Sequence, residues 1–171
     1  MKITLIAAIS ENNVIGVEGK VPWHIPEDMK RFRELTLEHP AIMGRKTYES
    51  IPDRFRPLPK RKNIVMSKSL NPKEGIYIAR NVDEALVLAE EKDSYVIGGA
   101  EIYRLFLSLA DELEITRVRK YFDGNAFFPE VDWNEWKLIN PEENLISKNE
   151  GIPYSFLTYK RLFNKRRMII N

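Results

Sequence analysis

The stretch Val21-Pro22-Trp23-His24-Ile25-Pro26-Glu27-Asp28 sets one carboxylate among residues that belong inside a protein. Pro26 suits the first turn of a helix, where a missing N–H leaves no bond unmade. Asp28 then falls in that first turn, and Phe32 and Leu35 follow on the same face at helical spacing. A carboxylate on an apolar stripe needs a partner, because an unpaired buried charge costs on the order of several kcal/mol. A cationic or hydrogen-bond-donating ligand would supply one. The plainer alternative is a helix-start aspartate favoured by the macrodipole.

Two further segments suit anions. Val96-Ile97-Gly98-Gly99-Ala100-Glu101-Ile102-Tyr103 reads as a strand, a glycine pair and a helix start. Glycines there let the backbone approach a ligand, and free amides at a helix start favour phosphate; the alternative is a tight turn. The spacing is not the G-x-G-x-x-G of a Rossmann dinucleotide site. Ile42-Met43-Gly44-Arg45-Lys46-Thr47 repeats the arrangement with a basic helix start. Cations in a first helical turn oppose the macrodipole, a conflict that a bound phosphate removes. Ser67 and Lys68 end the next strand with a hydroxyl and another charge. Together these suit a dinucleotide with an extra phosphate, NADPH rather than NADH; scattered surface cations are the alternative.

Arg56-Pro57-Leu58-Pro59-Lys60-Arg61 carries arginines on a loop stiffened by proline. A guanidinium held there is pre-organised for bidentate carboxylate binding, unless it is ordinary solvated loop charge.

These residues need a scaffold, and the chain supplies one domain of 171 residues with 43% hydrophobic and 30% charged residues. No apolar run approaches the roughly 20 residues needed to span a bilayer. The apolar start at residues 3–9 reads as a buried strand rather than a signal peptide, so a cytoplasmic location is expected. Cysteine is absent, and His24 and His39 lack ligand-spaced companions, so no metal is expected. A formal charge of +2 gives no case for nucleic acid.

Strands are expected at 2–9, 40–44, 63–67, 76–79, 94–97 and 112–119, with a loop at 11–20. Helices are expected at 26–36, 82–91 with Asn81 as cap, and 100–109. Longer strands at 137–140 and 154–162 end the domain. Alternation through the first 110 or so residues argues for an α/β fold: a single domain with a mostly parallel central sheet and helices on both faces. The C-terminal strands form an antiparallel edge. The domain spans 1–162, and a basic tail, 163–171, follows.

Taken together the segments resemble the dihydrofolate reductase family. The carrying residues are Leu5-Ile6-Ala7-Ala8, Ile15-Gly16, Pro22-Trp23, Pro26-Glu27-Asp28, Phe32, residues 42–51, Arg56-Pro57-Leu58-Pro59, residues 96–103 and Phe128-Pro129. The resemblance implies NADPH-dependent reduction of 7,8-dihydrofolate to 5,6,7,8-tetrahydrofolate in one-carbon metabolism, and binding of antifolates. It implies that Asp28 is the catalytic carboxylate, holding the pterin amino group and N3, with its pKa raised by desolvation. Ile6, Ala8, Met29, Phe32, Ile51 and Ile97 would wall the pterin and benzoyl rings, and Thr116 would support Asp28. Arg61 would clamp the glutamate α-carboxylate, with Arg56 nearby.

For the cofactor, the resemblance places Arg45, Ser67 and Lys68 near the 2′-phosphate and Lys46 and Thr47 at the pyrophosphate, and counts Gly44 and Ala8 among the cofactor-binding residues. Gly98-Gly99 matches a cis-peptide pair, with Ala100, Glu101, Ile102 and Tyr103 completing the contacts. Residues 14–22, including Val14, Ile15, Gly16, Gly19 and Lys20, resemble a mobile lid. The chain departs from the family pattern at Lys20-Val21, at Asn125 where some members have an aspartate that partners the lid, and at residues 52–55. The tail after Leu162 finds no match; fraying is expected there, with packing of Met168-Ile169-Ile170 on a neighbour the alternative. A monomer is expected, with a dimer as alternative. A pyrimidine reductase of riboflavin synthesis and a non-catalytic NADPH- or RNA-binding protein are the competing functions.

Overall fold

A computed structural model describes residues 1–163. The expected tail therefore lies outside the described residues beyond Phe163, as do Met168, Ile169 and Ile170.

The chain begins with β1 (Ile3–Ser10) and the short β2 (Val14–Gly16), then α1 (Pro26–Thr36), β3 (Ala41–Gly44) and α2 (Arg45–Ser50). After β4 (Asn63–Met66) and β5 (Ile76–Ala79) come α3 (Val82–Leu88), β6 (Ser94–Gly98) and α4 (Ala100–Phe106). β7 (Glu112–Val118), β8 (Ala126–Phe127), β9 (Trp136–Ile146) and β10 (Pro153–Arg161) complete it. Eight strands form one sheet in the order β5-β4-β3-β6-β1-β7-β10-β9. Pairing is parallel from β5 across to β7, and antiparallel at β7–β10 and β10–β9. The expected α/β architecture with an antiparallel C-terminal edge is the one observed.

Strand alternation divides the core between the two faces of the sheet. Ile42, Ile64 and Met66 join Ile3, Leu5, Ile9 and Phe106 on one face. Their neighbours Ala41, Met43 and Val65 pack on the other with Tyr48 and Leu58. β1 is buried along nearly its whole length, as a central parallel strand must be.

Three expectations are corrected. The loop at 11–20 contains β2, which pairs antiparallel with β8 in a separate two-stranded sheet. That partner is more than a hundred residues away, so local pattern gave no sign of it. The helix expected at 82–91 ends at Leu88, because Glu90 and Glu91 both take positive φ and turn the chain out of the helix. α4 stops at Phe106 and tightens into a 3-10 turn at Leu107–Leu109. Among the described residues no helix is long and apolar enough to cross a membrane.

Candidate active site

The carboxyl ends of the parallel strands open onto a cleft of about 1100 Å³. Ligands of open α/β sheets settle at this edge. Ile6, Ala8, Asp28, Met29, Phe32 and Ile97 line one region of it. Ile51 packs with Phe32 and Ile97 in the same apolar cluster. Arg45, Lys46, Thr47, Ser67 and Lys68 line another region. Gly98 to Tyr103 and Ile15, Gly16, Gly19 and Lys20 of the 14–22 segment also line the cleft.

Asp28 sits in the first turn of α1, after Pro26, and its amide closes on the Ile25 carbonyl at 3.0 Å. Thr116, on β7, donates its hydroxyl to Asp28 Oδ1 at 2.5 Å. Burial pushes the Asp28 carboxyl above its ordinary value; the Thr116 bond and the charge of Arg31 act against that rise. A carboxylate so placed has one oxygen bonded to protein and a second available to a donor pair on a ligand. Tyr103 donates to the Ile6 carbonyl at 2.7 Å, and burial pushes its phenol far up, so it is a fixed neutral donor in the cleft wall.

The phosphate-suited end is built from strand ends and helix starts. Neither Gly44 before α2 nor Gly99 before α4 has a side-chain cap, so first-turn amides are left for a ligand. Gly98 has φ +124°, a left-handed conformation that favours glycine, and the Gly98-Gly99 peptide is cis, as the resemblance implied. Arg45 is less isolated than its sequence position implied: Glu49, one turn on, accepts from it at 2.9 Å. Ser67 Oγ accepts the Leu70 amide at 3.0 Å, which fixes the turn after β4.

Ser69, Arg80 and Ala126 line the cleft without a signal in the sequence, while Val21 and Asn125, noted there only as departures from the family pattern, line it too. Arg80 follows β5 as Ser67 follows β4, and its guanidinium grips the Ser67 and Leu70 carbonyls at 2.7 and 3.0 Å. The register Met66↔Ala79 puts both strand ends on one edge, a signal that a pairing of the two strands would have given. Asn125 bonds to Glu18, within residues 14–22. Its Oδ1 accepts the Glu18 amide at 3.2 Å, and its Nδ2 donates to Glu18 Oε1 at 3.3 Å.

Other expected residues lie off the cleft surface. Val14 is buried in β2, and Thr116 is bonded to Asp28, which lines the cleft. Arg56 is engaged in its own loop, with the Glu49 carbonyl at 2.9 Å and with Asp53. Arg61 bonds to Thr36 Oγ1 at 3.1 Å and to the Pro59 carbonyl, and among the described residues it makes no ion pair. Burial and then Arg33 push its guanidinium below its ordinary value. Among the described residues no cluster of His, Asp or Glu is arranged to hold a metal.

This layout, one half-buried carboxylate in an apolar pocket that opens onto a cationic, amide-rich rim, suits a flat polar heterocycle beside a phosphorylated cofactor. A family profile described as dihydrofolate reductase matches residues 2–161. The dihydrofolate reductase of Neisseria meningitidis serogroup A is 44% identical over 163 residues, covering 94% of this chain and 99% of its own. That of Haemophilus influenzae is 42% identical over 162 residues, with 94% and 99% covered. A solved structure of dihydrofolate reductase from Enterococcus faecalis, complexed with NADP(H) and RAB-propyl, superposes with TM-score 0.86 at 32% identity, covering 95% of this chain and 97% of that one. The chain belongs to the dihydrofolate reductase family.

Proposed function

We propose that this chain reduces 7,8-dihydrofolate to 5,6,7,8-tetrahydrofolate with NADPH. The observation that carries the reading is the half-buried Asp28 carboxylate, bonded to Thr116 and lining the cleft beside Phe32 and Ile97. Family membership supports it.

Asp28 accepts from the pterin amino group and N3, while Ile6, Ala8, Met29, Phe32, Ile51 and Ile97 exclude water from the rings. Its negative charge, strengthened by the low-dielectric wall, favours a proton on the pterin at N5. That proton comes from water rather than directly from Asp28. Arg61 receives the glutamate α-carboxylate. This residue has no acidic partner among the described residues, and an incoming carboxylate would offset the burial of its charge. Arg56 has a different task, bracing the loop that presents Arg61.

The donor set also fits NADPH. Arg45, Ser67, Lys68 and Arg80 would hold the 2′-phosphate, and Lys46, Thr47 and the amides after Gly44 and Gly99 the pyrophosphate. When bound, NADPH supplies the hydride that reduces C6 of the pterin. Residues 14–22 then act as the lid, with Asn125 holding Glu18 from the β7–β8 side. In this reading the enzyme works in the cytoplasm as a monomer, and one chain lines the whole cleft.

The test is loss of NADPH absorbance on mixing purified protein with dihydrofolate, with and without methotrexate. Turnover that methotrexate abolishes is the expected result. A folded protein that binds NADPH but turns over no dihydrofolate would reopen the pyrimidine reductase and the binding-protein readings.

A further inference from the structure

Arg31 and Glu114 form a second connection between α1 and β7, alongside the one made by Asp28 and Thr116. Arg31 lies three residues after Asp28 on α1, where neighbours share a face. Glu114 lies two residues before Thr116 on β7, where alternate residues share a face. Arg31 Nη2 meets Glu114 Oε2 at 2.9 Å, with the two side chains only 20% and 10% exposed. Thr158, directly across from Glu114 on β10, donates to the same Oε2 at 2.9 Å. Arg31 also lies over the ring of Phe156, 4.6 Å from its centre, and Phe156 is the cross-strand partner of Thr116. Helix and strand are thus pinned at two adjacent rungs, one of which carries the carboxylate of the proposed active site.

Apolar residues of similar volume would hold α1 on β7 at least as firmly, because two charges must lose their water to meet here. The pair's particular consequence is electrostatic. We propose that Arg31 and Glu114 are positioning residues for Asp28: the pair fixes α1 on β7 at the catalytic turn and sets beside Asp28 a cation whose strength Glu114 moderates. The proposal rests on Asp28 being the working carboxylate. Arg31 already acts against the rise that burial imposes on Asp28. The other titratable groups around Asp28 are Glu27 on α1, Tyr154 on β10 and Tyr103 on α4. None of them is a cation, so Arg31 has no substitute among these groups.

Glu114 and Arg31 carry opposite charges, so in this role their removal must move Asp28 in opposite directions, which separates it from mere support of the fold. The experiment titrates the Asp28 carboxyl by carbon-13 NMR in the ligand-free protein, for the parent chain, Arg31→Met, Arg31→Lys and Glu114→Gln. Removing the cation leaves Glu114 unopposed and raises the Asp28 midpoint by roughly half a pH unit or more. Glu114→Gln frees Arg31 and lowers the midpoint. Arg31→Lys, which keeps the charge, stays within about half the displacement of Arg31→Met. Opposite displacements support the proposal; displacements of the same sign, or none, overturn it. Should Arg31→Met fail to fold, Glu114→Gln decides alone: a lower midpoint supports the proposal and any other result overturns it. The titration needs no substrate, so a parent chain that fails to turn over dihydrofolate would count against the proposed function and leave the midpoints readable.

Discussion

Thr116 donates its hydroxyl to Asp28 at 2.5 Å across 88 positions of sequence, so the carboxylate is held jointly by the first turn of α1 and the middle of β7. Removing the hydroxyl while keeping the shape, as in Thr116→Val, leaves a buried carboxylate oxygen without its protein donor. Such a loss costs about 1–3 kcal/mol. The expected result is a fall of roughly 10- to 100-fold in kcat/KM for dihydrofolate. The Asp28 midpoint should also move upward, because a bond to the charged form has gone. Steady-state kinetics across pH read both effects.

The raised Asp28 pKa has a consequence for stability. Below the ordinary carboxylate range both folded and unfolded chains hold the proton, and the residue contributes nothing. As pH rises from that range through the raised folded value, the unfolded chain loses its proton first, so stability falls, and the loss is complete above the folded value. Asp28→Asn removes the charge and should be more stable than the parent at neutral pH, with the advantage closing in acid. Urea midpoints at neutral and acid pH check the sign; a variant equally stable at both would contradict the assigned burial of charge.

Arg61 should act on one part of the substrate only. Arg61→Ala is expected to weaken glutamate-bearing folates by roughly 10- to 100-fold, the worth of a charge-assisted bond. Diaminopyrimidines without a carboxylate should bind as before. Equal loss for both ligand classes in a titration would argue that Arg61 instead supports the end of α1 through Thr36.

Arg80 is expected to discriminate between cofactors. Arg80→Leu should cost roughly tenfold or more in NADPH affinity and leave NADH nearly unchanged, since only the former carries the extra phosphate. The ratio of the two dissociation constants is the measurement.

Gly124 tests the coupling between the lid and its support. A Cβ there would lie 2.3 Å from Val14 Cγ1 and 2.7 Å from the Gly16 carbonyl oxygen, both in β2. Gly124→Ala should cost about 1–3 kcal/mol of stability from overpacking. It should also impair turnover by displacing β2 and the lid it begins; denaturant unfolding and kcat check the two parts.

The sequence made visible what is local. Pro26 and Asp28 declared the helix start and its carboxylate, and the glycine-led helix starts at Gly44 and Gly99 declared the phosphate-suited rim. Thr116 was reached through family resemblance alone, because nothing in Glu112-Leu113-Glu114-Ile115-Thr116 says which helix it will face. Arg80 and the Arg31–Glu114 pair are hidden for the same reason: each acquires its meaning from strand register or from an encounter between distant segments. Arg45 has its anion close by in sequence after all: Glu49 stands four residues away at the spacing that forms helical ion pairs.

Asp28 is proposed as the carboxylate on which reduction depends, and the decisive measurement is single-turnover reduction of dihydrofolate by Asp28→Asn, with bound NADPH and at neutral pH. The expected outcome is a folded protein with parental NADPH affinity and a reduction rate lower by on the order of 100-fold or more. A variant that reduces dihydrofolate at the parental rate would contradict the role assigned to Asp28.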